Sequence, residues 1–234
     1  MKIIGLNIQT GLFTSGFIIS DKLDVSSKLT KETGTLFDGD PIFLPLPPEA
    51  PPEFPRLILK NKDETYSFQA TATRFDLFFN NKKMPDSKTI EVETLIKKYV
   101  DNLRSVVSAI KKVFQPKIIR LGFVLTFQFQ VDNAVKIIKN SYIKDLKFTK
   151  NNNDLNAGFL NKKEINRFSS NIWFRVKAAK LKEEDEFGRI LLASFDINTR
   201  PDIVLDLDED NIIDYINSAW KYLDDNLKVF LPKY

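Results

Sequence analysis

Asp196 and Asp202, at and just beyond the end of the apolar run RILLASFDINT (189–199), are the carboxylates best spaced for chemistry. Hard cations need clustered oxygens, so a strand-end pair of this kind could hold Mg²⁺ or Mn²⁺ and stabilise phosphate charge, as a metal-dependent phosphodiesterase requires. A turn in which Asp202 follows Pro201 explains the same residues without a metal. Arg74 and Arg120 stand at polar positions of otherwise apolar stretches, where two guanidiniums could clamp a carboxylate or phosphate or form ion pairs within the fold. Trp173, Phe174 and Trp220 could stack on bases, although aromatic residues at strand and helix spacing ordinarily belong to cores.

The 234-residue chain contains no histidine and no cysteine. This removes disulfides, thiolate metal sites, thiol nucleophiles and every triad built on Ser-His or Cys-His. No G-x-x-x-x-G-K-[ST] loop is present to cradle a phosphate. The segment DLDEDN (206–211) has the alternating carboxylates of a calcium loop, but Asn211 stands where that loop needs glycine and Asn217 where it needs a bidentate glutamate. A helix cap is the better reading of those acids. No catalytic residue, metal ligand or cofactor is therefore assigned.

Charge is more informative than any motif. Residues 97–182 carry 19 basic and 5 acidic side chains, a net of +14, whereas 183–234 carry 5 basic and 13 acidic, a net of −8. The basic cluster of Lys111, Lys112, Lys117, Lys136, Lys139, Lys144, Lys147, Lys162, Lys163 and Arg167 is a candidate nucleic-acid surface, acting through counterion release where its members share a face. Lysine predominates over arginine there, which suits phosphate contact better than base readout. The alternative is that the acidic C-terminal part folds against the basic middle and neutralises it.

Two kinds of element must position these groups. The alternation of Ile4, Leu6 and Ile8, then Phe17 and Ile19, predicts two short strands around a turn at 11–16. The stretch PIFLPLPPEAPPEFP (41–55) holds seven of the eleven prolines and reads as an extended strap over the domain surface. Residues 56–59, 66–70 and 72–79 predict an antiparallel meander, and 118–131 a strand whose apolar face runs from Ile119 through Phe123 to Phe129. Apolar residues spaced by three and four predict long helices over 89–114 and 208–230. Between them lie a short helix ending at Asn140, capped by Asp132, and paired strands at 172–179 and 189–198. No internal sequence repeat is evident. The expected fold is a single α+β domain over 1–234, a mainly antiparallel sheet with two long helices covering one face.

The N-terminus lacks the anatomy of a signal peptide, and no run reaches the roughly 18 apolar residues of a membrane span, so a cytoplasmic location without membrane contact is expected. The stretches FPRLILKNKDETYSFQATATRFDLFF (54–79), RLGFVLTFQFQ (120–130) and LLASFDINT (191–199), with the long helices that follow, resemble a sporadically distributed, functionally uncharacterised prokaryotic protein family. That resemblance implies an α+β fold and no assigned activity, and its patchy occurrence suggests mobile or defence-linked genes. The leading expectation is a non-enzymatic binding protein, a subunit or inhibitory partner in a prokaryotic assembly that meets a protein partner through a sheet face or the charged surfaces. A nucleic-acid-binding protein using 97–182 and a metal-dependent phosphodiesterase are the alternatives.

Overall fold

The computed structural model describes residues 2–17, 19, 21–47, 49–81, 92–143, 155–180, 189–202 and 205–231. It is α+β, and the described residues form a nine-stranded antiparallel sheet and four helices. The order along the chain is β1 (Lys2–Thr14), α1 (Lys22–Glu32), β2 (Ile42–Phe43), β3 (Leu57–Lys60), β4 (Tyr66–Ala70), β5 (Arg74–Asn81), α2 (Val92–Phe114), β6 (Ile118–Gln130), α3 (Ala134–Tyr142), β7 (Asn156–Ile165), β8 (Phe168–Ala179), β9 (Ile190–Thr199) and α4 (Glu209–Phe230).

Across the sheet the strands run β2-β3-β4-β5-β1-β6-β9-β8-β7, which makes β1 and β6 the central antiparallel pair. Reading outward from that pair, β1-β5-β4-β3 on one side mirrors β6-β9-β8-β7 on the other. Each half also follows the order strand, helix, strands, helix. The sheet is therefore pseudo-twofold, its axis crossing the β1–β6 ladder near its midpoint at Ile8–Leu125. Among the described residues β2 has no counterpart in the second half.

Period-two alternation sends one face of every central strand into the core: Leu6, Ile8 and Leu12, then Phe75 and Leu77, then Phe123, Leu125 and Phe127, then Phe195 and Ile197. The helices pack on that face. The Phe75 ring lies 5.0 Å from Phe114 of α2, Phe195 lies 5.2 Å from Phe230 of α4, and Phe174 lies 5.6 Å from Tyr142 of α3. Tyr99 of α2 is fully buried, donates to the Leu77 carbonyl at 3.0 Å, and sits 2.9 Å from the Thr10 hydroxyl. Loss of solvation raises its hydroxyl pKa far above the ordinary value. In the same way Tyr215 of α4 meets Ser170 of β8 at 3.0 Å.

Several expectations are corrected. The strand expected to end before a turn at 11–16 instead runs on to Thr14, because β1 is hydrogen-bonded on both flanks by β5 and β6 as far as Phe13, and the second strand expected through Phe17 and Ile19 is not formed among the described residues. The helix α1 lies in a stretch for which no helix was expected; Asp21 caps it, accepting the Asp24 amide at 2.9 Å. The cap of α3 is Asn133, whose side chain accepts from the Lys136 amide at 2.8 Å, where Asp132 was expected. The strap contributes the edge strand β2, and β7 is a full-length edge strand in a stretch for which no element was expected. The expected start of the first long helix at 89–91 lies outside the described residues.

Candidate functional site

With all four helices on one side, the opposite sheet face carries the side chains that alternate with the core, and among the described residues no helix packs on it. Its rows follow from the ladders. Next to the pseudo-dyad lie Asn80, Asn7, Thr126 and Ser194 on β5, β1, β6 and β9, four uncharged polar side chains in line. The row beside it is Phe78, Gln9, Val124, Asp196 and Trp173, and the next is Asp76, Gly11, Gly122, Asn198 and Asn171. Most of these residues are half-buried, as expected when neighbours on an open sheet shield one another.

The most developed cluster lies at the Gly11–Gly122 end of this face. Gly11 and Gly122 face each other across the central ladder beside the ring of Phe13; a Cβ on either would make ordinary contact with that ring, at 3.5 and 3.8 Å, and one on Gly11 would press on Asp76 Oδ1 at 3.2 Å. Phe13 is flanked by guanidiniums, Arg74 at 5.3 Å and Arg120 at 4.7 Å from its ring centre. Beneath Arg74 the Asp76 carboxylate is 1% exposed; it accepts from Arg74 Nε at 2.6 Å and from Gln9 Nε2 at 2.9 Å. Burial pushes the Asp76 carboxyl above its ordinary 3.8, and the bonds from Gln9 and Arg74 pull it part of the way back. Arg120 donates to the Thr199 carbonyl at 3.2 Å and to Asn198 Oδ1 at 3.4 Å, which ties β6 to β9, while its contact with the Phe13 ring reaches across to β1.

Asp196 belongs to this face, yet Asp202 does not join it as a metal pair. Asp196 accepts from Asn198 Nδ2 at 2.9 Å and lies 3.6 Å from Arg175, while Asp202 is held by Arg200. That arginine contact lowers the Asp202 carboxyl pKa. Among the described residues no three carboxylates cluster as a cation would need. Asp208 serves as the expected cap of α4, accepting from the Asn211 amide at 2.7 Å. Trp173 points to the open face with Arg175 4.9 Å from its ring, Phe174 is in the core, and Trp220 lies on the helix side.

The candidate lysines are dispersed over several elements. Lys111 at the end of α2 donates to the Leu207 carbonyl, Lys112 pairs with Glu32, and Lys117 lies 3.6 Å from Asp206. Arg167, at the β7–β8 turn, bonds Asn211 at the start of α4. Lys136 and Lys139 are on α3, and Lys136 lines a cleft of about 660 Å³ with Lys2, Gln130 and Asp132. Lys162 and Lys163 are on opposite faces of β7: Lys163 is over the Tyr222 ring on the helix side, and Lys162 is on the open face. Lys144 and Lys147 lie outside the described residues. Part of the acidic C-terminal region thus folds against the basic middle, as Arg104 with Asp210 also does at 3.3 Å. The open face received little weight in the sequence because its members, Asn7, Gln9, Thr126, Ser194 and Asn198, are uncharged and far apart in the chain.

No protein-family model matches the chain, and no curated protein matches it. Among solved structures it is similar to the crystal structure of lombricine kinase at a TM-score of 0.38 and 12% identity, over 99% of this chain and 68% of that one.

Proposed function

We propose that this chain is a non-enzymatic binding protein and that its ligand, a nucleic acid, lies across the helix-free face of the sheet. The observation that carries this reading is the composition of that face: neutral amides and hydroxyls in the centre, with Arg74, Arg120, Arg175, Lys177 and Lys162 toward one end and the β7 side. Amide side chains recognise base edges, and exposed cations neutralise phosphates. The nine strands give the face a width of about 38 Å, room for roughly 11 base pairs or a longer single strand. A cytoplasmic protein free of cysteine suits such a role.

The test is binding to DNA and RNA oligonucleotides of about 20 nucleotides across a salt titration. The expected result is binding that falls steeply with salt and weakens about tenfold in the double variant Lys162→Glu/Lys177→Glu, while Lys112→Glu, on the helix side, leaves it unchanged. The opposite ranking would place the ligand on the helix side and overturn the reading.

A protein partner is the second reading, favoured by the edge strand β7. Phe159 and Leu160 on that strand are 44% and 46% exposed, and a free strand edge is a template for pairing with another chain. Co-purification with neighbouring gene products that recovers no stable complex would count against it.

A further inference from the structure

We propose that the nucleic acid taken up by the open face is single-stranded, with bases stacked on Phe78 and Trp173 and backbone phosphates held by the neighbouring cations; this deepens the nucleic-acid reading above and rests on it. Three features of the face carry it.

The first is the rings. On a sheet face bare of helices, alternation sends polar side chains outward, yet Phe78 of β5 and Trp173 of β8 project there and are half-buried rather than sealed. Among the described residues no cation or second ring packs on Phe78. The Trp173 ring has Arg175 4.9 Å from its centre, a pairing in which a base can meet the indole and its phosphate the guanidinium. Of the three rings that the sequence marks for base stacking, only Trp173 reaches this face, since Phe174 is in the core and Trp220 on the helix side. The bases of a single strand offer their faces to such rings, whereas those of a duplex stack on one another and offer only edges.

The second is spacing. Phe78 pairs with Gln9, Gln9 with Val124, Val124 with Asp196 and Asp196 with Trp173, so the two rings lie in one row four strands apart. At about 4.8 Å per strand they are roughly 19 Å from each other. Single-strand sites of this kind take about 4–16 nucleotides, enough to reach both rings. Asn80 stands two residues along β5 from Phe78 and Asn171 two along β8 from Trp173, on the same face, where each can bond the edge of a stacked base.

The third is charge. Arg120 is half-buried, and its hydrogen bonds go to two uncharged acceptors, the Thr199 carbonyl and Asn198 Oδ1. A part-buried cation without a counter-charge favours an anion beside it. Arg74 shares the Phe13 ring with it, and Lys162 and Lys177, which make no ion pair among the described residues, extend the cationic surface along β7 and β8. The carboxylates of the face do not cancel these cations: Asp76 is 1% exposed beneath Arg74, Asp196 is paired with Arg175, and Glu164 stands at the β7 edge. Rings set among cations suit a chain whose bases turn inward while its phosphates meet the surrounding charge.

The experiment uses the chain's two tryptophans: Trp220→Phe leaves Trp173 as the reporter. This protein is titrated with a single strand of about 12 nucleotides and with the duplex of the same sequence. The single strand is expected to quench Trp173 emission and to bind about tenfold more tightly than the duplex. Phe78→Leu and Trp173→Leu, read by the anisotropy of a labelled strand, are each expected to weaken binding about tenfold, while Trp173→Phe, which keeps a ring, retains most of the affinity. The quenching readout needs no change at either stacking position, so a leucine variant that fails to fold leaves the test intact. Binding without quenching, a duplex bound as tightly as the single strand, or unchanged affinity in both leucine variants overturns the single-strand assignment while leaving nucleic acid as the ligand. No binding of either form at low salt overturns this inference and the reading on which it rests.

Discussion

At the scale of single residues, Asp76 is the side chain whose surroundings differ most from its surface expectation. It projects from β5 toward the face without helices, yet the Phe13–Arg74 cluster and Gln9 leave it 1% exposed. Because burial raises its pKa above 3.8, the folded chain holds a proton on Asp76 more tightly than the unfolded chain does. Its contribution to stability is then complete below the unfolded value and is lost as pH rises through the raised folded value. The wild type is expected to lose stability relative to Asp76→Asn as pH climbs from about 4 toward neutrality, measured as the difference in urea midpoints. A difference that is flat or of opposite slope would mean that Arg74 outweighs burial.

At the scale of elements, the β7–β8 hairpin is the connection most open to improvement. Ile165 pairs with Phe168, so Asn166 and Arg167 form a two-residue turn, and both have positive φ, 42° and 63°. A turn with two left-handed residues matches the twist of the flanking strands and prefers Asn-Gly, whereas arginine in that region is strained. Arg167→Gly is therefore expected to raise stability by about 0.5–1 kcal/mol, read by thermal or urea unfolding, even though it removes an exposed hydrogen bond to Asn211. A loss of stability would show that the Asn211 contact outweighs the turn. The long helices need no such correction. Asp208 caps α4, and the spacing of Ile212, Ile216, Ala219, Leu223 and Leu227 places one buried stripe on the sheet.

At the scale of the whole molecule, β1 and β6 are bonded on both sides and lie beneath the packed helices, while β2 and β7 are edges. Amides of β1 and β6 are expected to exchange with solvent most slowly and those of β2 and β7 fastest, as hydrogen-exchange mass spectrometry would read; equal protection of β7 and β6 would count against this arrangement in solution. The sequence by itself determined the α+β class, the meander of β3 to β5, the two long helices and the cap at Asp208, because period-two and period-3.6 patterns and capping chemistry are local. It also excluded histidine and cysteine chemistry by composition. The strands β1 and β7 eluded it because their alternation is broken, by the glycines of β1 and by the run Ala-Gly-Phe-Leu followed by Asn-Lys-Lys-Glu in β7, and only pairing with neighbours makes them strands. The two halves share one short pattern, Lys-Ile-Ile-x-Leu at Lys2 to Leu6 and again at Lys117 to Leu121; the two segments lie at opposite ends of the β1–β6 ladder, and the pattern is too brief to signal a repeat in the sequence. The dispersal of the basic segment and the assembly of the open face were decided by tertiary structure alone, since strand order sets which distant residues become neighbours, and no local pattern encodes strand order.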